Sequence, residues 1–125
     1  MASNSKQSKD IRRAQKESLL LKELSTLFLQ LTMDDPKLAN LSVHYVKLSP
    51  DGSMCSVFFY SSLGKEHFQE VLPTLILYKP SLRKALASAI QSRYTPDLLF
   101  KFDKQFEKQS RIEEIFAKLK EEGQL

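Results

Sequence analysis

The stretch 41-LSVHYVKLSPDGSMCSVFFYS-61 decides the fold. Its two ends are rich in β-branched and aromatic residues, and Pro50-Asp51-Gly52 divides them. Proline presets the first dihedral of a turn, an Asp side chain bonds nearby backbone, and glycine accepts positive φ. The pattern predicts strands over 41–49 and 54–61, joined as an antiparallel hairpin. In the second strand Cys55, Val57 and Phe59 share one face, and Ser56, Phe58 and Tyr60 share the other.

Upstream of the hairpin, residues 10–33 read as a helix. Ile11, Ala14, Leu21, Leu24, Phe28 and Leu31 recur at helical steps, and Asp34-Asp35-Pro36 ends the run. Downstream, 65–78 reads as a helix with Phe68, Val71, Leu72 and Leu75 on one side. Pro73 is expected to bend or restart it, because proline removes a hydrogen bond and crowds the preceding turn. Pro80 suits the first turn of a further helix over 80–94, with Leu82, Leu86, Ala89 and Ile90 as its buried stripe. A third strand over 97–103 places Leu98, Phe100 and Phe102 on one face. Ser110-Arg111-Ile112-Glu113 has the spacing of a capping box opening a short last helix to residue 121. The class is α+β, in the order α-β-β-α-α-β plus a terminal helix. Leu21, Leu24, Phe28, Val57, Phe59, Leu86, Ile90 and Phe100 are the expected core.

A chain of 125 residues has room for one core. Residues 1–9 are polar and expected to be disordered, 10–108 form the domain, and 109–125 form a helix and tail. One cysteine, Cys55, excludes an intrachain disulfide and reads as a buried small hydrophobe. No apolar run reaches a membrane span, and the start lacks a signal core, so a cytoplasmic protein is expected. No glycine-rich phosphate loop is present, and His44 and His67 lack partners at metal-ligand spacing. Neither catalysis, a metal nor a cofactor is expected. Asp34-Asp35 reads as a helix-end turn before Pro36.

The net charge of +4 is unevenly distributed. Six bases face two acids in residues 1–22, and eight bases face three acids in 79–111, while the middle of the chain is acidic. Lys79, Arg83, Lys84, Lys101 and Lys104 fit a phosphate-binding surface about as well as a solvated one. Arg12 and Arg13 of the first cluster join them as candidates. Arg93, at a helix end, suits the dipole there and is expected to pair with Asp97 or Asp103 before it contacts RNA. Phe58 and Tyr60 suggest either a base-stacking platform or packing beneath a helix or the C-terminal segment, and packing is the expectation.

The element RYTPDLLFKFD, residues 93–103, matches an Arg-x-x-Pro-x-Leu-x-Phe-x-x-Asp pattern through Arg93, Pro96, Leu98, Phe100 and Asp103. With the hairpin and the Arg-Ile-Glu-Glu of residues 111–114, it resembles the ribosome-binding factor A family over about residues 12–116. The resemblance implies a KH-like fold of the second topological type, a three-stranded sheet with helices packed on one face. It implies a monomeric, non-enzymatic assembly factor that binds the free 30S subunit. The family assists late maturation of 16S rRNA near the 5′ end and is needed most in the cold. A generic KH-like nucleic-acid module and a protein-interaction module with incidental charge are the alternatives. One departure stands out: KH domains bring a glycine loop close to phosphates, whereas the corresponding junction here is Tyr78-Lys79-Pro80, with no glycine near.

Overall fold

The structure, a computed structural model, describes the backbone of residues 2–90 and 94–123, and side chains from residue 8 onward within those ranges except at 107 and 110. Helix α1 spans Ala2–Asp34, and a 3-10 turn spans Pro36–Leu38. The hairpin strands are β1, Leu41–Leu48, and β2, Met54–Ser61. Helices α2, Lys65–Leu77, and α3, Lys79–Ile90, lead to β3, Asp97–Phe102, and then α4, Lys104–Glu121.

β2 is central, paired antiparallel with β1 and parallel with β3. This is the expected α-β-β-α-α-β arrangement, KH-like in type, because α2 and α3 supply the crossover that parallel strands require. The hairpin turn closes as its residues predict. Gly52 takes φ +77, its N–H donates to the Ser49 carbonyl at 2.9 Å, and Asp51 Oδ1 accepts from Ser53 N at 3.1 Å.

Helices α1, α2 and α3 cover one face of the sheet. Leu20, Leu24 and Phe28 of α1, Phe68 and Leu75 of α2, and Leu82 and Leu86 of α3 bury themselves against Cys55, Val57, Phe59, Leu98 and Phe100. The Phe59 ring lies 5.1 Å from Phe28, 5.5 Å from Phe100 and 6.0 Å from Phe68, centroid to centroid. Of the expected core, Leu24, Phe28, Val57, Phe59, Leu86 and Phe100 are buried. Leu21 and Ile90 are half-buried at its margin, and Leu20 takes the central place on α1.

Five expectations are corrected. α1 begins at Ala2, so residues 2–9, read as disordered, continue the helix; they contain neither Gly nor Pro, and propagation from an existing helix avoids the nucleation cost. α2 does not restart at Pro73 but continues through it to Leu77, with residue 73 and Gln69, whose carbonyl loses a donor, both exposed to solvent. On α3, Ala89 is exposed and Ala85 and Ala87 are half-buried, so the stripe turns toward α1. α4 opens at Lys104 rather than at Ser110, because Asp103 caps it by accepting from Phe106 N at 3.0 Å. The boundary at 109 therefore falls inside an 18-residue helix.

Candidate nucleic-acid interface

The predicted cations divide between the two sides of the sheet. On the helical side, Lys79 stands in the first turn of α3 with its Nζ 5.5 Å from the Phe100 ring centroid. Arg83, one turn on, is committed to structure. Its Nε and Nη2 reach the Pro96 and Thr95 carbonyls at 3.4 Å each, and its Nε lies 3.7 Å from Asp97 Oδ1. Lys84, beside it, is exposed and makes no ion pair among the described residues. On α1, Arg12 is exposed, and Arg13 bridges Asp10 at 3.2 Å.

Lys101 lies on the opposite face of the sheet, because it alternates with the buried Phe100. Its Nζ is 5.7 Å from the Phe58 ring centroid. Lys104 opens α4 near that face and is exposed. Lys79 and Lys101 therefore do not share a surface. Arg93 lies outside the described residues, and the two acids proposed for it have other partners: Asp97 has Arg83, and Asp103 has His44 at 2.5 Å.

The junction of α2 and α3 is built without glycine. Tyr78 caps α2, and its hydroxyl donates to Asp35 Oδ2 at 2.9 Å, which holds the Tyr78 pKa above its usual value. Asp35 also caps the 3-10 turn by accepting from Lys37 N at 3.1 Å, the helix-end role expected of it. A ring tied across this junction blocks close backbone approach. Any phosphate contact here falls to side chains such as Lys84.

The outer aromatic residues part company. Tyr60 is covered: Phe106 of α4 meets it edge-on at 4.6 Å and also packs against His44 at 4.1 Å. Phe58 instead stacks with Tyr45 at 4.3 Å, their rings within 6° of parallel. Sequence reasoning missed Tyr45 because a register shift between Val43 and Tyr45 interrupts the alternation. The bulge places His44 and Tyr45 together on the outer face and returns Val46 to the core. Burial, and secondarily the charge of Asp103, raises the Tyr45 pKa.

Cys55 is fully buried, as expected, and burial with the nearby Glu17 charge pushes its pKa to about 11. His67 meets Ser61 at 2.7 Å. Among the described residues, no cluster of three His, Cys, Asp or Glu side chains forms a metal-binding group, and no helix is long and apolar enough to cross a membrane.

A mixed three-stranded sheet with α1, α2 and α3 on one face defines a small α+β protein of KH-like fold. The profile of the family described as ribosome-binding factor A matches residues 12–116. A relative named ribosome-binding factor A, from Phenylobacterium zucineum, is 37% identical over 95 residues, 74% of this chain and 65% of its own length. The crystal structure of ribosome-binding factor A from Thermus thermophilus superposes with a TM-score of 0.61 at 33% identity, covering 70% of this chain and 92% of that one. A homology model of the Thermus thermophilus factor, fitted into a cryo-EM map of a 30S–RbfA complex, superposes with a TM-score of 0.50 at 33% identity, covering 70% and 87%. The chain belongs to the ribosome-binding factor A family, a family of ribosome-binding factors and not of enzymes.

Proposed function

We propose that this chain binds the free 30S subunit as a cytoplasmic monomer and assists late maturation of 16S rRNA. Processing near the 5′ end and growth in the cold are the steps it would serve. The observation that carries this reading is family membership, with a structural neighbour fitted into a 30S complex. The domain would run from α1 through β3, with α4 as its C-terminal appendage. Phosphate attraction would come from Lys84 and Arg12 on the helical side and from Lys101 and Lys104 on the other. Lys79, Arg83, Arg13 and Arg93 would add to it, the first three beside the structural contacts described above.

Co-sedimentation of the purified chain with 30S subunits, 70S ribosomes and duplex DNA tests the reading. Selective pelleting with 30S is the expected result, and equal pelleting with DNA would mark a generic nucleic-acid module. Log affinity should fall linearly with log salt, by about 0.7–0.9 per phosphate contact. Lys84→Ala should lower affinity and reduce that slope by about one contact, while Lys118→Ala, in the acidic tail over residues 113–122, should do neither. Equal weakening by both would mean that the basic charge acts diffusely.

A further inference from the structure

We propose that the cleft between the N-terminal half of α1 and β1 takes an unpaired RNA nucleobase, stacked on Tyr45. The proposal rests on the reading of the chain as an rRNA-binding factor and assigns it a site at the free edge of β1, beside α1 and apart from the α2–α3 junction. One side of the Tyr45 ring is filled by Phe58. The residue also borders a cavity of about 470 Å³ walled by Arg13, Ala14 and Glu17 of α1 and by Lys47 and Pro50 of the hairpin. That volume suits one small planar ligand.

The chemistry around the ring selects the ligand. Tyr45, Phe58 and Lys101 form one row across the three strands, because Tyr45 pairs with Phe58 and Phe58 with Lys101. Lys47, Ser56 and Leu99 form the next row. The Tyr45–Phe58 stack thus has a cation at the β3 end of its own row and another at the β1 end of the adjacent one. Lys101 places its Nζ 5.7 Å from the Phe58 ring centroid, within reach of a cation–π contact. The stack is formed without any ligand, and Tyr45 keeps 36% of its surface exposed. A nucleobase uses the ring and its phosphate uses Lys47, whereas an apolar peptide would leave both lysines unemployed. The carboxylates in the cleft are already occupied: Glu17 accepts from Leu48 N at 3.0 Å, and Asp10 holds Arg13. Glu17 keeps its charge, and across the cleft's lining the two carboxylates are matched in number by Arg13 and Lys47.

The chain has no tryptophan, so Tyr45→Trp in the full-length protein gives a single reporter. A mixed-sequence single-stranded heptaribonucleotide should quench the fluorescence of the introduced indole, and the same sequence as a duplex should not. Tyr45→Ala should weaken heptamer binding about tenfold with an unchanged salt slope, because stacking moves no counterions. Lys47→Ala should lower that slope by about 0.7. Thermal melting of Tyr45→Ala near the wild-type temperature shows that the fold survives. An unquenched indole at saturating heptamer, or wild-type affinity in Tyr45→Ala, overturns the proposal. If the wild type pellets with 30S while the indole stays unquenched, the nucleobase site alone falls. If the indole is quenched but the chain ignores 30S, the site stands and the ribosomal reading falls. Loss of 30S binding in Tyr45→Ala without quenching in Tyr45→Trp would make this a protein-docking surface and refute the nucleobase.

Discussion

β2 presents aromatic rings to both sides of one sheet, and the two sides have opposite fates. Inward, Phe59 is closed in by Phe28, Phe68 and Phe100 from three different elements. Outward, Phe58 has Tyr45 as its one ring partner among the described residues, and a lysine amine above it. Adjacent residues of the same type thus differ in the number of elements that converge on them. Burial by several elements stabilises the fold through removal of apolar surface from water. Tyr45, supported by Phe58 on one side, is held in place yet keeps surface for a ligand. The difference separates stability from recognition within two consecutive residues.

The sharpest way to break this comparison is a matched pair of truncations. Phe59→Ala should destabilise the protein by about 4 kcal/mol, transfer loss and cavity together. Since domains of this kind hold only about 5–15 kcal/mol in total, urea denaturation should show a large fall in midpoint. Phe58→Ala should cost about 1 kcal/mol, the scale of a cross-strand pair, while weakening RNA binding. Equal destabilisation by both would mean that the outer ring is core after all.

The corner where α4 crosses to the outer face sharpens the comparison further. Asp103, only 3% exposed, accepts from Phe106 N through one oxygen and bonds His44 through the other. Asp103→Ala should cost about 1–2 kcal/mol, by loss of the cap and of the His44 contact. Hydrogen exchange should then rise through the first turns of α4 and leave β2 protected. Uniform loss of protection would show that α4 belongs to the cooperative core.

Much of the inner face was legible in the residues. The alternation of Cys55, Val57 and Phe59 and the helical spacing of Leu24 and Phe28 express burial directly, and the structure buries all five. The outer site was not legible by simple alternation, because a bulge at His44 changes which side Tyr45 occupies. A trace of it exists: the apolar positions of β1 are odd at Leu41 and Val43 and even at Val46 and Leu48. Such a change of parity within one strand signals an extra residue. The start of α4 misled for a different reason. Two capping signals compete, at Asp103 and Ser110, and only tertiary packing of Phe106 on Tyr60 and His44 favours the earlier. The separation of Lys79 from Lys101 likewise follows from strand alternation combined with the helix placement, and charge counting alone is blind to it.

A smaller effect tests the inner face chemically. The Cys55 thiol, pushed to about 11 by burial and by the Glu17 charge, is almost entirely protonated at about pH 8. Disulfide-exchange reagents attack the thiolate, so labelling of the native chain at about pH 8 should be far slower than in denaturant. Adding urea below the unfolding midpoint should speed it only as far as opening populates the exposed thiol. Rapid labelling of the native protein would show that β2 opens on its own and that the inner face is less closed than its packing implies.

The smallest expected effect lies in the hairpin turn, which belongs to neither face. Asp51 Oδ1 accepts from the Ser49 hydroxyl at 2.7 Å, the Ser53 hydroxyl at 2.8 Å and the Ser53 N–H at 3.1 Å. These donors favour the carboxylate and lower its pKa from 3.8 to about 2. A depressed folded-state pKa means that the contribution is fully present above the unfolded value of about 4. It is lost as pH falls through about 2. The Asp51 contribution should therefore be constant near neutral pH and decline by a small increment only between about pH 4 and pH 2. Because the group is open to solvent, that increment is minor, and the clear reading is the carboxyl titration itself. Carbon-detected NMR should place its midpoint near 2 in the wild type. Replacing both Ser49 and Ser53 with Ala should return the midpoint toward 3.8 while the chemical shifts of Phe58 and Phe59 stay fixed. If those ring shifts move with the Asp51 titration, the turn is coupled to the sheet, and the independence of the two faces from the loop that joins their strands is lost.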